Sequence, residues 1–293
     1  MGGCSGEERP RGRPVPSQPS APPCRWWRPA HLMLGALPDP PTPPDPPAVS
    51  TAPAVSTTGV GVVSPHLDDA ALSCAGLLAG RPASSMVTVF AGGPRSVDPL
   101  TEWEAVSGCF SPGDDIVGAR RHEDRAAAAV LGATPVHLDH WDHQYRTSLY
   151  GYRGPTGDAE LIRAVTEDLA TVIAESTHRT WVFPLGLSHP DHRLAAAAAL
   201  GVIEDEPDRE WLIYDDLPYA VYLPGAVDAA VAALVSRGWA LEPAAGVIPR
   251  DPLTDDGTTG RAVRCYHSQV RSLGEATTVA LDAPERIRRL VRG

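Results

Sequence analysis

Residues 59–77 read GVGVVSPHLDDAALSCAGL, and the parsing of this stretch decides the fold. Gly59-Val60-Gly61-Val62-Val63 is an apolar run of strand length. It breaks at Ser64-Pro65 into His66-Leu67-Asp68-Asp69, and an alanine-rich segment of helical character follows. A buried strand would thus deliver one imidazole and two carboxylates onto the first turn of a helix, where unpaired N–H groups favour negative charge. Open α/β sheets bind ligands at such strand ends. His66 and Asp69, three apart, can turn toward one point, whereas adjacent Asp68 and Asp69 cannot face the same way in helical geometry. One aspartate can then ligate a metal while its neighbour works beside it. The competing assignment for this pair is simple helix capping.

The whole chain sets outer bounds. Its 293 residues suit one or two domains with a substantial core. A formal net charge of -11 argues against a nucleic-acid partner, whose binding rests on basic patches, and against docking on anionic lipid. No apolar run has the length of a membrane span, and the amino terminus lacks a charged-then-apolar secretory pattern, so a soluble, cytoplasmic protein is expected. Five scattered cysteines with no Cys-x-x-Cys pair indicate neither a disulfide framework nor a thiolate zinc site. Cys74, in the apolar helix, reads as a small buried residue. Residues 1–58 hold 15 of the 31 prolines and almost no apolar period, so a disordered Pro-rich extension is expected there. Within it, Trp26-Trp27 reads as an incidental cluster, or as lying upstream of a true start nearer Met33.

From Gly59 onward strand-like and helix-like segments alternate. Met86–Ala91 is a strand, and a long loop through Asp115 containing Trp103 is positioned to shape a pocket. Gly118–Leu131 is a helix stopped by Gly132, Pro135–Leu138 a strand, Asp158–Glu175 a helix and Thr180–Pro184 a strand. Pro190–Ile203 is a helix with proline at its first position, and Trp211–Tyr214 a strand. The last third reads as helix over Ala226–Ser236, strand over Trp239–Val247, helix over Arg261–Leu273 and a short basic helix over Pro284–Val291. The predicted fold is a single Rossmann-like α/β domain over residues 59–293, a mostly parallel sheet with helices on both faces.

Immediately after the strand ending at Pro184, His189-Pro190-Asp191-His192 places two more imidazoles at a helix start. If the two strands lie near each other, His66, Asp69 and His192 can supply three ligands with an open fourth position, the pattern of a catalytic zinc site. A lone His-x-x-His is weak evidence; two clusters at equivalent strand ends are strong evidence.

With both clusters in view, the chain resembles the PIG-L/LmbE family of zinc-dependent N-deacetylases, over roughly Gly59 to Leu273. Ser64–Asp69 resembles its first metal motif and His189–His192 its second. Arg120–Glu123 is similar to its Arg-x-x-Glu helix, Asp139–Arg146 to the segment carrying a substrate-contacting aspartate, and His267-Ser268-Gln269 to its late His-x-Ser-Gln segment. The resemblance implies one Zn2+, with another divalent metal as the alternative, held by His66, Asp69 and His192. It implies Asp68 as general base on the attacking water, and His189 as oxyanion stabiliser or acid to the leaving amine. It also implies Asp191 as the residue orienting an imidazole, and Arg120 and Asp142 as holders of sugar hydroxyls. The implied partner is a small amino-sugar conjugate of the N-acetylglucosamine type; the alternatives are an amidase or esterase on another acyl group, or a non-catalytic sugar binder. Oligomeric state is not implied.

Other assignments compete locally. Many family members carry glutamate after the Asp pair, where this chain has Ala70. His137, His140 and His143 form a group whose readings are separate structural roles or a second metal. Arg120 has a structural alternative, pairing with Glu123 or Asp124 on a solvated helix face. His267 reads as a structural or pocket-wall residue rather than a ligand.

Overall fold

The computed structural model describes residues 59–206, 208–244 and 257–293. The expected extension over residues 1–58 lies outside these, as does the end of the strand expected over Trp239–Val247. In chain order the elements are β1 (Gly61–Ser64), α1 (Asp69–Ala79), β2 (Ser84–Thr88), α2 (Glu102–Ser107), α3 (Ile116–Leu131) and β3 (Ala133–His137). Next come α4 (Asp158–Glu175), β4 (Thr180–Pro184), α5 (Pro190–Asp205), β5 (Glu210–Tyr214), α6 (Tyr219–Tyr222) and α7 (Pro224–Ser236). The chain closes with β6 (Trp239–Pro243), α8 (Thr258–Arg264), α9 (His267–Leu273), α10 (Glu275–Asp282) and β7 (Ile287–Arg292).

The strands form one seven-stranded sheet in the order β3-β2-β1-β4-β5-β7-β6. The first five run parallel, and β7 joins antiparallel to both β5 and β6. Alternation along each strand divides its side chains between two cores. Val62, Met86, Val182 and Leu212 face one core with α1, α3, α8 and α10. Val63, Val87, Phe183 and Ile213 face the other with α4, α5 and α7. Helices therefore cover both faces, as parallel strands buried on two sides require.

This topology fixes the functional position. From β1 the chain moves outward through β2 and β3, then returns to β4 on the other flank of β1. A crevice opens at such a reversal, beyond the carboxyl ends of the two central strands. β1 and β4 are paired neighbours, Gly61 opposite Trp181 and Val62 opposite Val182, so both histidine motifs emerge into it.

Four segments differ from the sequence expectation. The long loop expected through Asp115 contains the helix α2 with Trp103 in it, capped by Thr101 Oγ1, which accepts the Glu104 N–H at 3.2 Å. Pro284–Val291 is not a helix: its centre is β7. Ile287 and Leu290 share a face at helical spacing, but on a strand they point oppositely, and each enters a different core. The helix expected over Arg261–Leu273 divides at Cys265-Tyr266 into α8 and α9, with the Tyr266 ring buried and its hydroxyl donating to Asp124 Oδ1 at 2.7 Å. α1 is itself interrupted at Cys74 (φ −138°, ψ 16°). Beyond that break the freed N–H groups of Gly76 and Leu77 donate to the buried Glu285 carboxylate at 2.6 and 3.2 Å.

The centre of the sheet leaves no room at Gly61. A Cβ built there lies 2.4 Å from Trp181 Cε3, closer than real contacts allow. Gly61→Ala is expected to destabilise the fold by about 1–3 kcal/mol through overpacking. The check is the urea midpoint at unchanged m-value.

Candidate metal centre

Within the crevice, His66 leaves β1 and His192 sits on the first turn of α5, with Asp69 at the start of α1 between them. Asp69 Oδ2 lies 3.4 Å from His66 Nδ1 and 3.2 Å from His192 Nε2. His66, Asp69 and His192 each offer one ligand atom, all within 4.8 Å of one another. Zinc bonds of 2.0–2.1 Å arranged tetrahedrally give ligand-to-ligand edges of about 3.3 Å. His192 Nε2 is buried and makes no well-aligned hydrogen bond among the described residues, with Asp69 Oδ2 as its polar neighbour. The residues therefore fit a divalent cation bound by Nδ1 of His66, Nε2 of His192 and a carboxylate oxygen.

Each imidazole is oriented through its other nitrogen by a buried carboxylate. Asp191 Oδ2 lies 3.0 Å from His66 Nε2, and Asp216 Oδ1 lies 2.5 Å from His192 Nδ1. Asp191 also accepts the His143 N–H at 2.9 Å and pairs with the Arg146 guanidinium. Asp216 also accepts the N–H groups of Gly186 and Leu187 at 2.9 and 3.2 Å. A second ligand grouping shares His66 and adds His189 and Asp191, but these bonds already engage Asp191 as a clamp.

The two adjacent aspartates are in different electrostatic states. Burial opposes the Asp69 charge, but the His192 and His66 imidazoles outweigh it and hold the carboxyl well below the usual range. Asp68 is raised well above its ordinary value, first by burial and then by the charge of Asp69. Its φ of 156° is rare for an L residue, and although it occupies the N-cap position its carboxylate makes no capping bond. The Ser64 hydroxyl does that work, accepting Ala70 N–H at 3.0 Å and donating to His66 O at 2.6 Å. Capping therefore does not account for Asp68. Ala70 is buried in the core, and the orienting carboxylates come from Asp191 and Asp216.

His189 is the N-cap of α5: its Nδ1 accepts the Asp191 N–H at 3.2 Å, so the neutral ring carries its proton on Nε2. Burial, followed by the neighbouring His66 and His192, pushes its pKa down to about 2. It is a hydrogen-bond donor rather than a cation. Its ring stands edge-on to His66, centroids 4.7 Å apart.

A pocket beside His66 is lined by Leu67, Phe90, Ala91, Gly92, Val117, Arg120, Asp142, Tyr145 and Gln269. Arg120 is buried and pairs with Glu104 at 2.9 Å, not with Glu123 or Asp124 on a solvated face. Glu123 instead accepts from Ser268, and Asp124 holds His137 and Tyr266. His137, His140 and His143 separate to different neighbours: Asp124, Asp168 and the ring of His189. They belong to neither ligand grouping among the described residues. His267 is exposed, and Gln269 is the member of its motif that reaches the pocket.

Residues 61–203 match the PIG-L family, described as GlcNAc-PI de-N-acetylase. That span is just under half of the chain, and the chain is homologous over it to deacetylases of the LmbE/PIG-L superfamily. The matched span contains the candidate ligands His66, Asp69 and His192 together with Asp68, Asp191, His189, Arg120 and Asp142, while Asp216 and Gln269 lie beyond it. The 2'-N-acetylparomamine deacetylase of Streptomyces fradiae is 32% identical over 173 residues, 54% of this chain and 57% of that protein. The chain thus spans little more than half the length of that curated relative. Among solved structures, a deacetylase–bog complex from teicoplanin biosynthesis superposes with a TM-score of 0.65 at 28% identity, covering 80% of this chain and 99% of that one. A zinc-inhibited form of teicoplanin deacetylase gives 0.63 at 26% identity, covering 80% and 99%.

The sequence reading missed Asp216, although Asp215-Asp216 follows β5 much as Asp68-Asp69 follows β1. Asp216→Asn is expected to weaken zinc binding about 10- to 100-fold, measured by competition with a chelator. Burial opposes charge on both candidate ligand imidazoles, yet Asp191 and Asp69 raise His66 well above its usual value, and Asp69 and Asp216 raise His192 to about 9. An entering ion must displace these protons. Affinity is therefore expected to rise between pH 6 and 8 by about tenfold per pH unit for each proton released, checked by calorimetry in buffers of different ionisation enthalpy.

Proposed function

We propose that residues 59–293 form a metal-dependent N-deacetylase that hydrolyses the acetamide of an amino sugar within a glycoconjugate, with zinc as the ion. The observation that carries this reading is the buried, proton-seeking Asp68 carboxylate beside a His66–Asp69–His192 ligand set, faced by a neutral His189 whose proton sits on Nε2. The amino-sugar class is supported by the named deacetylase relatives.

His66, Asp69 and His192 would hold a divalent ion, which would supply Lewis acidity toward an acyl carbonyl and acidify an attacking water. Asp68 accepts the proton of the attacking water, its raised pKa placing it closer to working pH than an ordinary carboxylate. The His189 Nε2–H donates to the oxygen on which negative charge develops. When the C–N bond breaks, the proton held by Asp68 passes to the departing nitrogen, releasing acetate and a free amine. Arg120 and Asp142, both lining the pocket next to His66, offer a donor and an acceptor for sugar hydroxyls.

The test combines metal analysis with acetate release from a panel of N-acetylglucosamine conjugates and N-acetylated aminoglycosides. Asp68→Asn is expected to lower kcat by roughly 10²–10⁴-fold with zinc content unchanged. His189→Ala is expected to lower it by roughly 10²–10³-fold. Zinc bound without acetate release from any acetamide would redirect the reading to another acyl group or to sugar binding. A protein that takes up no zinc would overturn it.

A further inference from the structure

The polar wall of the pocket beside His66 is organised by a stretch that no motif identified, Thr101-Glu102-Trp103-Glu104 at the start of α2. Glu104 has no exposed surface, and its two oxygens are used separately: Oε2 accepts from Arg120 Nη2 at 2.9 Å, and Oε1 accepts from the Tyr145 hydroxyl. Both partners line the pocket. Arg120 is itself 3% exposed, and its Nε has no partner among the described residues. A buried guanidinium with an unused donor depends on its remaining ion-pair partner for charge balance and orientation, and that partner is Glu104.

The same stretch grips the wall twice more. Thr101 Oγ1 donates to Gln144 Oε1 at 2.7 Å, and Gln144 Nε2 donates to Asp142 Oδ2 at 2.8 Å. Trp103 Nε1 donates to Gln269 Oε1 at 2.9 Å. Arg120, the Asp142–Tyr145 segment and Gln269 arrive from three parts of the chain, and α2 with its cap residue Thr101 is what they share.

We propose that Glu104 is a positioning residue of the substrate pocket, holding Arg120 and Tyr145 at the geometry in which Arg120 receives a sugar oxygen beside the metal centre. This rests on the amino-sugar reading above. Glu104 touches neither metal ligands nor reacting atoms in this role; it acts through Arg120. Its charge neutralises a guanidinium that would otherwise be buried alone, and its second oxygen fixes the rotation of the pair through Tyr145.

The experiment measures zinc affinity, KM and kcat for N-acetylglucosamine conjugates, and equilibrium binding of glucosamine to the zinc-loaded protein. Glu104→Gln is expected to raise KM and the glucosamine Kd roughly tenfold or more, with a smaller change in kcat and unchanged zinc affinity. Tyr145→Phe, which retains the ion pair, is expected to give a smaller rise in the same direction. Arg120→Gln combined with Glu104→Gln is expected to cost little more than Arg120→Gln alone, because the two act as one unit. Unchanged KM and Kd in Glu104→Gln would overturn the proposal, as would additive effects in the double variant. So would loss of zinc and thermal stability in Glu104→Gln with normal sugar binding by Tyr145→Phe, which would leave Glu104 a scaffold role alone. If the unsubstituted protein releases no acetate, weaker glucosamine binding by Glu104→Gln still sustains the positioning role while hydrolysis falls. Absence of any sugar binding overturns both.

Discussion

Two buried carboxylates, Asp191 and Asp216, each close on one imidazole at the crevice between β1 and β4, and the site and its loops depend on that pairing. Removing a carboxylate from water costs several kcal/mol unless its lone pairs are used. Here they are used twice over. Asp216 orients His192 and also pins the turn between β4 and α5 through Gly186 and Leu187. Asp191 orients His66 and also draws in the segment carrying His143 and Arg146, which includes the pocket residues Asp142 and Tyr145. The interactions that set the ligands are the same ones that build the walls around them.

The Asp68-Asp69 pair shows how environment separates identical side chains. Asp69 lies between two imidazoles and keeps its charge; Asp68 is buried beside that charge and holds a proton more readily. Pairs of carboxyls whose environments drive their proton affinities apart divide acid–base work in this way. The division requires Asp68 to be released from helix capping, and the Ser64 hydroxyl occupies that role one turn earlier. His189 is treated in the opposite manner, since its Nδ1 is committed to a backbone N–H and its remaining proton is presented on Nε2.

The pocket has a different logic. Its apolar part comes from residues that follow or border the central strands, such as Leu67, Phe90 and Gly92, and its polar part comes from helices and loops far apart in sequence. Those polar groups are held by the short helix α2 rather than by the sheet. The sheet therefore fixes the metal centre, while α2 fixes what stands beside it.

The alternation of apolar runs and helical segments, the strand-end clusters at His66 and His189, and the capped helices around them were legible because each is a local pattern with a local cause. β7 was not, because Ile287 and Leu290 share a face at helix spacing, whereas a strand sends them to opposite faces that are both buried, and only pairing with β5 and β6 selects the strand. Asp216 and Glu104 were not, because a lone acidic residue carries no period and gains meaning from its contacts. By itself the sequence determined the α/β class, the two motifs and the chemistry of their donors, since these depend on residue type and short spacing. Tertiary structure alone decided that β1 and β4 are neighbours, which imidazole nitrogen each buried carboxylate engages, and which buried acid holds each polar group of the pocket, since all three depend on residues brought together from distant parts of the chain.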